Sequence, residues 1–200
     1  MAGNVANIDP YGPSAGRVHP EHYKRPDSLI IDIHGHIMTE GVDEEVRKHV
    51  PAMSLDAVKY ASPLTREISK KQNEDRHEEL VGVTKRLADM DKMCVDVMAI
   101  SPQPPQMHYD APEALGQETA QKVNDNIANA VSQAPDRLIG LGTVPLQNTD
   151  MALKELDRLI GELGFKGIQI GAQIGKDELS AERLEPFWAR CEELDIPILL

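Results

Sequence analysis

Short apolar runs alternate with amphipathic stretches along this chain, and that alternation limits the folds open to it. Ile139, Ile168 and Ile198 sit in successive apolar runs about 30 residues apart, the length of one strand–helix unit in a parallel sheet. Strands are expected over 28–36, 95–100, 137–144, 165–170 and 196–200. They show little polar alternation, as expected when both faces of a sheet are covered. Between them, Leu80, Val83, Leu87 and Met90 mark a helix over 76–93. Pro112 opens the next helix and Pro135 closes it. Asn148 or Thr149 caps a third, which Gly164 ends. Pro186 starts a fourth, with Phe187, Trp188, Cys191 and Leu194 turned inward. The strand 101–105 region, Ser101-Pro102-Gln103-Pro104-Pro105, should stop the second strand.

This pattern implies an α/β fold with parallel strands. An open doubly wound sheet would carry Gly-x-Gly-x-x-Gly after a strand, or a Walker sequence, and neither is present. A TIM-type (β/α)8 barrel fits better, with its first five strands in this chain. Residues 1–27 lack any period and read as an extended arm, and 28–200 as the N-terminal part of the barrel. From Ile30 to Val97 is 67 residues, so the first connection carries an insertion. It carries helical fragments at 42–49 and 55–60 and a polar turn at 70–75. It starts beside the end of the first strand and should cover it.

The net charge of −12 argues against nucleic acid and anionic membranes as partners. The two cysteines, Cys94 and Cys191, form no disulfide framework, and no apolar signal core opens the chain. The expected location is the cytoplasm.

The chemistry points to Asp32-Ile33-His34-Gly35-His36. Alternate residues of a strand project to one side, so His34 and His36 should leave the strand end together. Two imidazoles so placed can share a divalent cation such as zinc. Asp32 has the same parity and could orient a ligand from behind. The alternative is a strand end with two hydrogen-bonded histidines.

Ile31-Asp32-Ile33-His34-Gly35-His36 resembles the first strand of the amidohydrolase superfamily. Arg86-Leu87-Ala88-Asp89-Met90-Asp91 with Val95-Asp96-Val97, the run from Asp136 to Gln147, and the run from Glu162 to Gly171 resemble its aminocarboxymuconate-semialdehyde decarboxylase branch. The resemblance covers about 30–200. It implies a metal-dependent decarboxylase of a small aromatic or dienoic carboxylic acid. His34 and His36 take the places of two ligands to zinc, or to manganese. It also implies a third ligand, a histidine commonly followed by proline, which would come directly after Leu200, and a later histidine and aspartate. The chain therefore reads as C-terminally truncated, with the catalytic residues expected beyond Leu200. Cys94 stands where the branch usually has glycine. A hydrolase or hydratase of the same superfamily is the alternative activity. A non-catalytic fragment with residual metal binding is the alternative of another kind.

Barrel sites lie at the C-terminal ends of strands. That selects His108 and Tyr109 after the second strand and Gln173 after the fourth as substrate contacts. Arg66 and Arg47, in the long connection, are candidates for pairing with a substrate carboxylate. Five strands leave two open edges, so a partner is expected, and a homo-oligomer for the full-length protein.

Overall fold

The computed structural model describes residues 27–50 and 61–200. The arm at 1–26 and the helical fragment at 55–60 lie outside them. The first strand, β1 (Ile31–Ile37), leads to a short helix, α1 (Val42–Arg47). Three helices follow: α2 (Pro63–Asp75), α3 (His77–Val81) and α4 (Val83–Met93). Next come β2 (Val97–Pro102), a 3-10 turn (Pro104–Met107), α5 (Glu113–Gln133), β3 (Leu138–Gly142) and α6 (Thr149–Gly161). The chain continues through β4 (Gly167–Gln169) and a small hairpin, β5 (Gln173–Ile174) with β6 (Asp177–Glu178). A second 3-10 turn (Glu182–Leu184) leads into α7 (Glu185–Glu193), and β7 (Ile198–Leu199) follows.

Five strands form one sheet in the order β1-β2-β3-β4-β7, with every neighbouring pair parallel. This is the half-barrel expected from the alternation of strand and helix. Its core lies between the strands and α4 to α7. Met90, Ile100, Ile127, Leu138, Leu156, Leu159, Ile168 and Phe187 are all fully buried there.

A polar clamp holds the middle of this layer together. Asn124 of α5 donates to the carbonyl of Thr143 at 2.9 Å and accepts the Thr143 backbone N–H at 2.9 Å. The same amide donates to Oε1 of buried Glu155 at 2.6 Å, and Arg158 closes the set on Glu155 at 2.7 Å. The side chain of Asn124 thus ties α5 to the end of β3 and to α6, and no buried polar atom of the amide goes unused.

Four expectations need correction. Residues 70–75 are helical, because Ser62 caps α2 by accepting the Thr65 N–H at 3.1 Å and Pro63 occupies a first-turn position. α2 buries none of its residues, so it has no apolar period to read. The helix over 76–93 breaks at Gly82, whose backbone is extended (φ −85, ψ 125). Strand β2 runs on through Ser101 and Pro102, which pair with His36 and Ile37. Proline lacks only the donor, and the Pro102 carbonyl is still used, as described below. Finally, the loop after β4 folds into the β5–β6 hairpin about Gly175, which adopts a positive φ of 58.

Candidate metal and acid-binding site

The β1 histidines sit beside an irregularity in the ladder. Register with β2 shifts by one residue between Asp32 and Gly35. Asp32 holds that backbone by accepting the His34 N–H on Oδ1 at 3.0 Å. Asp32 thus supports His34 through its main chain. Gly35 is required for close approach to β2. A Cβ there would lie 2.7 Å from Sδ of Met98 and 3.2 Å from the Ala99 carbonyl oxygen.

The two imidazoles meet edge to face, with ring centroids 4.8 Å apart and planes at 86°. Their Nε2 atoms are 3.1 Å apart. Nδ1 of His36 lies 3.0 Å from the Pro102 carbonyl oxygen and 3.2 Å from Oγ of Ser101. Ser101 Oγ in turn donates to the Gly35 carbonyl at 3.1 Å. A carbonyl oxygen only accepts, so the His36 proton sits on Nδ1 and its Nε2 keeps a lone pair. Burial, and then the facing His34 ring, hold the His36 pKa below the ordinary histidine value, against the pull of the Pro102 carbonyl. Both effects favour the neutral ring, the form that ligates a metal.

These residues fit a divalent cation as a pair. Two nitrogens on one cation stand about 3 Å apart, which matches the observed Nε2 separation. Among the described residues no group of three or more His, Cys, Asp or Glu could hold a metal ion. As candidates for a metal, the two histidines would supply only part of a ligand set.

Behind the pair lies Arg86 of α4, a residue that sequence reasoning placed only in a family motif. It is buried, and its Nη2 donates to the His36 carbonyl at 2.7 Å and to the Glu79 carbonyl at 3.3 Å. Burial lowers its pKa, and the charge of Asp32 opposes that shift. Arg86 ties α4 to the strand that presents His36.

His34 and His36 line a cavity of about 980 Å³. Its other walls include Met107, His108 and Tyr109 after β2, Gln169 and Ile170 at the end of β4, and Gln173 and Lys176 on the hairpin. Three expected contacts, His108, Tyr109 and Gln173, therefore share one space with the histidines. Arg47 and Arg66 do not line it; both are exposed residues of α1 and α2. Among the described residues the only Lys or Arg in the wall is Lys176. It went unnoticed because its position depends on a two-residue turn in a segment that reads as loop.

His108 adopts a left-handed backbone (φ 46). Its side chain is 9% exposed, and Nε2 stands 3.0 Å from Oδ1 of Asp43 on α1. The contact is close but lacks hydrogen-bond alignment. It links the first connection to the cavity wall. Tyr109 accepts the Gly171 N–H at 3.4 Å, and burial of its hydroxyl pushes the pKa up to about 12.

The family model described as amidohydrolase matches residues 31–200. A 2-amino-3-carboxymuconate-6-semialdehyde decarboxylase of Dictyostelium discoideum is 36% identical over 115 residues, covering 58% of this chain and 32% of the relative. A gamma-resorcylate decarboxylase of Polaromonas sp. is 32% identical over 123 residues, covering 58% and 37%. Among solved structures, 5-carboxyvanillate decarboxylase of Novosphingobium aromaticivorans, complexed with manganese and 4-hydroxy-3-methoxy-5-nitrobenzoic acid, superposes with a TM-score of 0.72 at 26% identity. That match covers 86% of this chain and 49% of the other, so the chain spans about half the length of this solved relative. The half-barrel, the strand-end histidine pair and the family match agree: this chain belongs to the amidohydrolase family.

Proposed function

We propose that this chain forms the metal-binding wall of a divalent-metal-dependent decarboxylase acting on a small aromatic or dienoic carboxylic acid. The observation that carries the reading is the approach of the two Nε2 atoms, 3.1 Å apart, at the wall of a cavity large enough for such an acid. The decarboxylase activities named for the three relatives above and the manganese in the solved one support it.

His34 and His36 would hold the cation. When bound, the cation supplies positive charge where negative charge builds up as the carbon–carbon bond breaks. The Pro102 carbonyl, Ser101 and Arg86 keep His36 in position and in the right tautomer. Lys176 is our choice for the substrate carboxylate, in place of Arg47 or Arg66, because it lines the cavity. His108, Tyr109 and Gln173 contact the substrate from the β2 and β4 sides. Manganese is the first metal to test and zinc the second. The same reading makes the protein a cytoplasmic homo-oligomer that binds neither nucleic acid nor membrane. Free Cys94 and Cys191 and the net charge of −12 support it. No helix among the described residues is long and apolar enough to cross a membrane.

The test is carbon dioxide release. Metal-loaded protein is incubated with 2,6-dihydroxybenzoate, 5-carboxyvanillate and a dienoic acid. Release should require the metal, stop with a chelator, and fall about 100-fold or more in His36→Ala. Hydrolysis of a lactone or amide with no carbon dioxide from any acid would refute the reading in favour of a hydrolase.

A further inference from the structure

Gln169 closes β4 and lines the same cavity as the histidines, and it is 3% exposed. Its Oε1 is buried and has no hydrogen-bond partner, and among the described residues neither end of its amide makes a hydrogen bond. The other buried amides behave differently. Gln106 exchanges two bonds of 2.8 Å with the backbone of Thr39, one to each end of its amide. Asn124 is satisfied by Thr143 and Glu155. Gln147 leaves Oε1 unpaired yet donates twice from Nε2, to His108 and Ala111 carbonyls. Each of these three amides has at least one hydrogen-bond partner, whereas that of Gln169 has none. Burying an amide with no partner is costly, and the cost falls here on a cavity wall, where a ligand can recover it.

We propose that Gln169 is a specificity-determining residue that accepts a hydrogen bond from a hydroxyl or amino substituent of the acid bound in this cavity. The inference rests on the acid-binding reading above and adds a requirement to it: the substrate carries a donor besides its carboxyl group. Gln169 is uncharged and cannot hold the carboxylate as an ion pair, so its task is separate from that of Lys176. A hydroxyl suits it best. It donates to Oε1 and accepts from Nε2, and so meets the amide in either orientation.

The experiment measures dissociation constants by calorimetry for benzoate and its three monohydroxy isomers on manganese-loaded protein. Native protein should bind at least one hydroxy isomer about tenfold more tightly than benzoate, the worth of one added hydrogen bond. Gln169→Met should bring that ratio to about one while leaving benzoate affinity in place. Gln169→Leu serves as the second variant. Both variants should melt at or above the native temperature, because an unpaired amide is removed; a structural glutamine would show a lower melting temperature. Persistence of the ratio in both variants overturns the role of Gln169 and leaves the acid-binding reading intact. So does unfolding of both variants, which would make the residue structural. A native ratio near one overturns the donor requirement. Failure of every acid, benzoate included, to bind overturns the acid-binding reading and this inference with it.

Discussion

Cys94 ends α4 in the left-handed conformation (φ 59, ψ 29), and the N–H of Val95 closes the turn on the Met90 carbonyl at 2.9 Å. A side chain with a Cβ is strained there, where glycine is not. Cys94→Gly should therefore stabilise the chain by about 0.5–1 kcal/mol, read as a higher midpoint in urea with an unchanged slope. Tyr109 offers a titration test. Its folded pKa of about 12 lies above the free value of 10.0. The unfolded chain therefore loses this proton first as pH rises. The stability that Tyr109 contributes is fully present below the unfolded value and is lost as pH climbs through the folded one. Absorbance titration at 295 nm should show a late-titrating component that Tyr109→Phe removes. The shared parity of His34 and His36 could be read in advance, because it depends on a few adjacent residues. Gln169 could not. Its unpaired amide is defined by what fails to reach it from neighbouring strands, and a lone glutamine in an apolar run carries no such information.

The elements that sequence reasoning recovered are those with an apolar face. β1 to β4, α5, α6 and α7 bury part of their surface, so their period shows in the sequence. Helix α2 buries nothing and is held by its Ser62 cap, while the β5–β6 hairpin is two short strands about a turn. The hairpin matters to the candidate site because it brings Lys176 to the wall, whereas Arg66 of α2 is exposed and does not line the cavity. Packing between elements depends on the Asn124 clamp. Asn124→Ala leaves the Thr143 N–H and carbonyl and the Glu155 carboxylate short of a partner in a buried layer. We expect a loss of about 2–4 kcal/mol in chemical denaturation. Asn124→Asp should be as damaging, because it places a second carboxylate against Glu155.

At the scale of the whole molecule the sheet has two edges among the described residues. On the β1 side Leu29, Ile31 and Ile33 are 67%, 50% and 70% exposed, and on the β7 side Leu200 is 67% exposed. Apolar side chains on an unpaired edge favour association. The 200-residue chain should therefore elute as concentration-dependent oligomers in light-scattering chromatography, and Ile33→Lys should shift it toward monomer. A monodisperse native monomer would contradict this. The strand order and the βα spacing were readable from the sequence because a parallel sheet repeats one unit. The described residues bring two histidines together and no third His, Cys, Asp or Glu, as the resemblance implies for this stretch. The central claim is that His34 and His36 share one divalent cation at the wall of the cavity. Mn²⁺ titration followed by electron paramagnetic resonance tests it most directly. The account predicts saturable binding by the native chain that weakens about tenfold or more when both histidines are replaced by alanine. Binding of equal strength in the native chain and the double variant would contradict it.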